Sequence, residues 1–280
     1  MGVRYSYIAF LSDFGLADEY VGVCKGVIAR IAPEVNVLDV SHEINPQAVR
    51  QGAIILERAV SYLPLAVHLA VVDPGVGSSR RPLILSARDG ALLVGPDNGL
   101  LLPAAARLGG IRKGWSIENS DLMLQPTSKT FHGRDIFAPA AAHLAMGVEP
   151  DAFGAEVEVG SLVTLAIAPA YQQAGRFEAE VLYADRFGNL QLNLEAKRLH
   201  EIGAAPGRLL EVGILGRSFQ IPYAESFADV APGELVATED SAGYLSLSVN
   251  GGSAESVLLQ GTGPELPVTV RLREARRAEP

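Results

Sequence analysis

Residues 65–73 read LAVHLAVVD. All but His68 and Asp73 are apolar, and the valines among them favour extended backbone. An apolar run of this length, without polar alternation, fits a strand covered on both faces, as in parallel sheets. The flanking segments carry the same message. YSYIAFLS (5–12) is a second short apolar run, and NVLDVSHEI (36–44) alternates as a strand. DEYVGVCKGVIARIAP (18–33) sets Tyr20, Val23, Cys24, Val27, Ile28 and Ile31 at helical spacing and ends at Pro33. PQAVRQGAIILERAVSYL (46–63) opens with a proline and reads as a helix. PLILSA and ALLVGPDN form a strand pair joined by Arg88-Asp89-Gly90, and GLLLPAAARLG and GRDIFAPAAAHLAMG read as helices. Strand alternating with helix predicts an α/β layer with a mostly parallel central sheet flanked by helices.

The pattern changes near residue 165. APAYQQAGRF (168–177) has the composition of a linker. FEAEVLYAD, NLQLNL, RLLEVGIL, SFQIPYA, ELVATED, YLSLSVN, SVLLQ and LPVTVRLRE then follow as short strands punctuated by Gly, Pro and Asp. They predict a small antiparallel barrel or sandwich. The expected organisation is an α/β domain over 1–167, a linker over 168–176, a smaller antiparallel β-barrel domain over 177–272, and a frayed charged tail over 273–280.

At 280 residues the chain can bury a large core, and 48% hydrophobic with 20% charged residues is ordinary globular composition. A net charge of −9 offers no basic stripe for nucleic acid. One cysteine, Cys24, excludes an intramolecular disulfide. The amino terminus does not read as a signal peptide, and no apolar run is long enough for a bilayer. A cytoplasmic protein without membrane partners is expected.

Ligands of parallel α/β sheets bind beyond the carboxyl ends of the strands. Those positions hold Ser12-Asp13-Phe14-Gly15 with Asp18, then Asp73-Pro74-Gly75-Val76-Gly77-Ser78-Ser79-Arg80-Arg81, then Asp97-Asn98-Gly99. His132-Gly133-Arg134-Asp135 precedes the last helix. Each has a plainer reading. Asp13, Asp18 and Asp97 suit turns or helix caps, and Arg134 and Asp135 suit a first helical turn. The glycine-rich run lacks the ending of a P-loop. Asp13, Asp73, His132 and Asp135 could in principle hold a divalent ion, but there is no compact ligand motif, and Arg80 opposes a cation. In the second half, Asp185, Phe187 and Asn189 surround a glycine and offer a carboxylate, an aromatic face and an amide. Their plainer reading is a β-turn. Ser241 and Tyr244 flank Gly243 in a hairpin-like segment.

Taken together, SDFGLADEYVGVCKG, VVDPGVGSSRR, GPDNGLL, FHGRDIFAPAAAHLA, DRFGNLQLN and DSAGYLSLSVN resemble, in order, the adenosine-forming S-adenosylmethionine hydrolases, relatives of the S-adenosylmethionine-dependent halogenases. The resemblance runs from Ser12 to about Ala254. It implies an α/β domain and a small β-barrel, and a homotrimer whose ligand lies between the first domain of one subunit and the second of its neighbour. It implies a water-activating set at Asp73, Arg80 and His132, with Asp13 on the ribose hydroxyls. Asp18, Asp185 and Ser241 match residues on the methionine part, and Phe187 and Asn189 match residues at the nucleoside; Tyr244 is added to this substrate-binding group.

Two departures separate the chain from the halogenases, which have tyrosine-serine at His132-Gly133 and a long insertion where residues 81–95 are short here. Two others touch substrate contacts: Ala242 replaces an arginine, and Gln47 replaces a tryptophan. The expected reaction is attack of water on the ribose C5′ of S-adenosylmethionine, releasing adenosine and L-methionine without metal or cofactor. His132 has the intrinsic pKa best suited to accept a proton near neutrality, and Asp73 would orient it or the water; a carboxylate beside Arg80 is by itself a weak base, and which group takes the proton is left open. Gly133 is expected to leave room for that water, and Asp135 to cap the helix. The alternatives are a halide-using relative, a non-catalytic S-adenosylmethionine or adenosine binder, and a metal-dependent phosphoesterase.

Overall fold

The computed structural model describes residues 3–263 and 266–272. The charged tail expected over 273–280 lies outside them. The chain divides between Ala166 and Ile167 into two compact units.

The first unit holds β1 (Tyr7–Ser12), α1 (Tyr20–Ile31), β2 (Asn36–Ser41), α2 (Val49–Val60), β3 (Val67–Val71), β4 (Pro82–Ala87), β5 (Leu92–Pro96), α3 (Leu102–Arg107), β6 (Ile111–Ser116) and α4 (Ala138–Ala145). The sheet order is β2-β1-β3-β5-β4-β6. β2, β1, β3 and β5 run parallel, while β4 turns back against β5 and β6 against β4. β3 and β5 are buried throughout, as their apolar sequences require. Alternate side chains of β3 serve opposite faces. Leu69 and Val71 join α1 and α4 through Cys24, Ile28, Ala141 and Leu144. Ala70, next in line, joins α2 and α3 through Leu56 and Ala104. Burying each Val or Leu side chain stabilises the fold by roughly 2 kcal/mol before entropy is counted.

Three local features differ from the sequence reading. The second helix starts at Val49, because Gln47 takes a left-handed conformation, φ 65°, which breaks a helix before it begins. β6, IRKGWS, lies at the sheet edge with Arg112 and Lys113 exposed, so it carried no apolar run to find. Gly133–Phe137 is a π-helical turn, in which the Ala138 N–H reaches back to the Gly133 carbonyl. Such turns cluster at functional sites.

The second unit contains β7 (Tyr171–Gln173), β8 (Arg176–Ala184), β9 (Leu190–Glu195), α5 (Ala196–Glu201), β10 (Leu209–Ile214), β11 (Arg217–Ala224), β12 (Leu235–Glu239), β13 (Tyr244–Val249), α6 (Ala254–Leu258) and β14 (Pro267–Leu272). Seven strands close a barrel in the order β14-β10-β11-β12-β13-β9-β8, with β14 returning to β8. All neighbours are antiparallel except β11 and β12, which pair in parallel, a departure from the purely antiparallel barrel expected. Leu190, Leu192 and Leu194 of β9 and Leu245, Leu247 and Val249 of β13 alternate into the core. β7 lies within the segment expected to be a linker. Ala174 and Gly175, both with positive φ, turn it tightly onto β8. SVLLQ belongs to the end of α6, which places Leu258 in the barrel core.

Candidate active site

β1 and β3 are neighbours, with Ser12 opposite Val71, so the residues leaving their carboxyl ends emerge side by side. Asp13 and Asp73 are therefore close enough to repel. The 73–81 loop folds Arg80 back onto Asp73. Arg80 Nε donates to both carboxylate oxygens at 3.0 Å, and Nη2 also donates to Oδ2. Both side chains are nearly buried, at 9% and 5% exposure, where a bidentate pair is less screened and better ordered than on a surface. Phe137, from the π-turn, lies under the guanidinium at 5.1 Å. Gly77 fixes the loop. Its φ is +77°, and a Cβ there would stand 2.5 Å from the Lys129 carbonyl oxygen.

The segment before α4 brings in His132. Its Nδ1 lies 2.7 Å from Arg80 Nη2. A guanidinium is a donor only, so Nδ1 accepts and the ring hydrogen sits on Nε2. Burial and then Arg80 hold the His132 pKa below its ordinary value, against the opposing pull of Asp73, Asp135 and a Ser128 backbone hydrogen bond. His132 is thus a neutral imidazole whose acceptor nitrogen is already engaged. Of the proton acceptors that the sequence leaves open, this arrangement does not favour His132.

Gly133 serves a different purpose from the one expected. A Cβ there would meet Phe14 Cζ at 2.7 Å and Cε2 at 3.0 Å, so the space beside it holds an aromatic ring. Phe14, Tyr20 and Phe131 pack edge to face or tilted, with centroids 5.2–6.2 Å apart. Asp135 does not cap the helix. It is buried, accepting from Arg134 at 2.6 and 3.0 Å and from the Ser128 N–H at 2.8 Å, and so ties down the segment that carries His132.

Asp13 Oδ2 accepts the Gln47 N–H at 2.8 Å. Burial raises its pKa, two backbone hydrogen bonds lower it, and Asp73 raises it again. Asp18 is exposed ahead of α1. Asp97 is a structural anchor: Arg81 and the Val163 N–H take its oxygens at 2.5–3.0 Å. A recess in this unit, about 500 Å³, touches Tyr5, Arg112, Trp115 and Leu92, the first residue of β5, and so opens away from the Asp73 end.

In the second unit Asp185 organises a turn. Its Oδ1 accepts the N–H groups of Phe187 and Asn189 at 2.9 and 3.0 Å, and its Oδ2 accepts the Asn189 amide at 2.8 Å. This leaves Phe187 77% exposed at the rim of a recess of about 490 Å³, with Asn189, Phe227, Val249 and Asn250 around it. Phe227 and Asn250 escaped the sequence reading because they lie far from Phe187 along the chain, and only barrel closure gathers them. Ser241 and Tyr244 are elsewhere. Tyr244 pairs with Glu195, whereas the Phe187 turn precedes Leu190, which pairs with Leu247. The two groups therefore stand toward opposite ends of the β9–β13 pair, about 10–16 Å apart at ~3.3 Å per residue, three residues along β13 and five along the bulged β9 register. Asp185 goes with Phe187 and not with Ser241.

An α/β unit with a charged cluster at its strand ends and a closed seven-stranded barrel thus follow one another in the chain. The chain belongs to the SAM hydroxide adenosyltransferase family: residues 8–154 match its N-terminal domain and residues 179–266 its C-terminal domain. Proteins of Salinispora tropica and Salinispora arenicola, both named (R)-S-adenosyl-L-methionine hydrolase, are 49% and 47% identical over 94% of this chain and 97% of each relative. An uncharacterized conserved protein of Thermotoga maritima has a solved structure that superposes with a TM-score of 0.86 at 35% identity, covering 94% of this chain and 99% of that one. A fluorinase of Actinoplanes is more distant, at 29% identity over 87% of this chain and 90% of that relative.

Proposed function

We propose that this protein hydrolyses S-adenosyl-L-methionine to adenosine and L-methionine. A water oxygen attacks the ribose C5′ in line with the C5′–S bond. The C–O bond forms as the C–S bond breaks, its electron pair stays on sulfur as neutral thioether, and the water proton leaves to a carboxylate or to solvent. The leaving group is already good, so most of what the protein supplies is position. The observation that carries this reading is the interlocked Asp73–Arg80–His132 set at the carboxyl end of β3. Arg80 engages one nitrogen of His132 and the Asp73 carboxylate together, which supports Asp73 as the hydrogen-bond acceptor for the water and His132 as the group that holds the arginine in place.

Asp13 is assigned to the ribose diol, since a carboxylate accepts hydrogen bonds from two vicinal hydroxyls. Phe187, Phe227 and Asn189 suit an adenine ring and its edge. Asp18, Ser241 and Tyr244 remain for the amino-acid end, on the pattern of the family, and Asp185 acts by building the Phe187 turn. The working form is a homotrimer in the cytoplasm, with first-unit and second-unit residues of neighbouring subunits completing one another. No helix of the described residues is long and apolar enough to cross a membrane. Neither metal nor cofactor has a role in this scheme.

The halide-using alternative is disfavoured at Gly133, where Phe14 excludes an added side chain. The decisive experiment is chromatography of S-adenosylmethionine incubated with purified protein, with and without EDTA and chloride. Adenosine and methionine in equal amounts, indifferent to both additives, is the expected result. A chloride-dependent nucleoside would replace the reading with halogenation, and retained ligand without turnover would replace it with a binding protein. Light scattering tests the trimer.

A further inference from the structure

A second polar chain lies behind the Asp13 loop. His42, 3% exposed, follows β2 and points back toward the end of β1. Its Nδ1 is 2.7 Å from Ser12 Oγ, and its Nε2 is 3.1 Å from Asp39 Oδ1. The other Asp39 oxygen accepts from Lys25 Nζ of α1 at 2.6 Å. A carboxylate accepts only, so Nε2 carries a ring hydrogen; in the neutral imidazole Nδ1 is then the acceptor, and Ser12 donates its hydroxyl hydrogen. Ser12 Oγ then accepts the Phe14 N–H at 3.4 Å. The His42 carbonyl accepts the Gly15 N–H at 2.7 Å. Phe10 closes over the ring, edge on, at 4.6 Å.

The order is serine, histidine, aspartate, yet Ser12 has no exposed surface and cannot meet a substrate. The chain has to act on structure. His42 grips the 12–15 segment at both ends, by its ring at Ser12 and by its backbone at Gly15, and the residue between them assigned above to the ligand is Asp13. We infer that His42 is a positioning residue for substrate binding: through Ser12 it fixes the loop that aims Asp13 at the vicinal hydroxyls of the ribose. The inference rests on the function proposed above and adds to it a residue outside the site. Asp39 and Lys25 set the tautomer of His42, and with it the direction of the Ser12 hydroxyl.

Three variants test it. His42→Phe keeps the ring volume and removes both hydrogen bonds. His42→Asn keeps an acceptor near the Nδ1 position and loses the Asp39 contact. Asp13→Ala removes the carboxylate that His42 is argued to position. The expected result for His42→Phe is a KM for S-adenosylmethionine raised about tenfold, with kcat within about twofold, in line with a lost buried hydrogen bond. His42→Asn restores most of the affinity. In an Asp13→Ala background, His42→Phe adds nothing further, because its route of action is gone. Calorimetric binding of adenosine and 2′,3′-dideoxyadenosine completes the set, with the His42→Phe loss confined to the ribonucleoside.

Additive effects of Asp13→Ala and His42→Phe, or equal losses for both nucleosides, would make His42 a general structural residue and overturn the inference. Wild-type affinity in a folded His42→Phe protein would do the same. If His42→Phe does not fold, Ser12→Ala carries the same comparison with the imidazole left in place. A wild-type protein that neither cleaves S-adenosylmethionine nor binds adenosine overturns the function and this inference together; one that does both, with unaffected variants, overturns the inference alone.

Discussion

Arg80 Nη2 stands 2.7 Å from His132 Nδ1 while Arg80 Nε spans both oxygens of Asp73. One guanidinium thus holds both partners: the Asp73 carboxylate and the His132 Nδ1 both accept from it, and it favours the neutral imidazole. A protonated His132 would turn its Nδ1 hydrogen toward Arg80 and place two cations in contact. Burial and Arg80 already hold the His132 pKa below 6.5. Lowering the pH through 6.5 therefore leaves His132 neutral and the set intact, and loss comes only at lower pH. A profile of kcat/KM against pH is expected to fall on the acid side with a midpoint below 6.5. An acid limb centred at or above 6.5 would mean that His132 titrates freely and that the contact with Arg80 is not maintained.

Arg80→Lys preserves charge and discards the fork that reaches Asp73 and His132 together. A loss of about tenfold or more in kcat is expected, with a smaller change in KM. Asp73→Ala and His132→Ala are expected to lower kcat by roughly 10²-fold or more, and steady-state kinetics checks all three. Near-wild-type turnover in either alanine variant would remove that residue from the reacting set.

The sheet and the charged residues at its strand ends were legible because β1, β3 and β5 are short apolar runs with charged residues placed soon after them. Asp13, Asp73 and Arg80 fall at strand ends that periodicity alone locates. β6 was not legible, since an edge strand with Arg112 and Lys113 facing solvent has neither alternation nor an apolar run. α5 and α6 were missed because each spans fewer than two turns, too short for a helical period to emerge. The tautomer of His132 depends on which nitrogen Arg80 meets, and the role of Gly133 depends on where the Phe14 ring lies. Both are matters of three-dimensional contact between residues far apart in the chain. His42 drew no notice for the same reason: in sequence it is a lone histidine after a strand.

His68, central to β3, gives a stability test apart from the site. It is 1% exposed, and its Nδ1 has no partner among the described residues. Burial pushes its pKa down to about 4 from 6.5, with Asp89 pulling weakly the other way. Between those values the unfolded chain binds a proton that the folded chain refuses. Stability accordingly falls as pH drops from 6.5 toward 4, by up to about 1.4 kcal/mol per pH unit, and this contribution is flat above 6.5. Urea unfolding at pH 7 and pH 5 is expected to show His68→Leu losing about 2 kcal/mol less than wild type between the two. Equal losses would show that His68 is hydrated or paired in solution.

Cys24 lies wholly buried against Ile28 and the α4 face, and burial raises its pKa to about 12. The thiolate is the reactive form, so a native protein at pH 8 holds almost none of it. Labelling by an aromatic disulfide reagent is expected to be negligible until denaturant opens the first unit, and then to follow the same curve as circular dichroism. Rapid labelling of the native protein would reveal a local opening of α1 separate from global unfolding.

Gly133→Ser separates hydrolase from halogenase chemistry at one position. The Cβ would arrive 2.7 Å from Phe14 Cζ and 3.4 Å from Phe131 Cε2, and Phe14 is itself packed against Phe10, Tyr20 and Phe131. The ring cannot retreat without disturbing that cluster and the Asp13 loop to which it belongs. Overpacking of this kind costs about 1–3 kcal/mol. The expected outcome is a lower melting temperature, a kcat reduced along with it, and no product that depends on chloride. Gly133→Ser combined with Phe14→Ala relieves the clash, and should recover part of the lost stability while leaving the nucleoside product as adenosine. A chloride-dependent nucleoside from the single variant would show that the pocket accepts a halide once a hydroxyl is supplied. The Phe14 ring would then be a movable wall, and the separation between the two activities would rest on Gly133 alone.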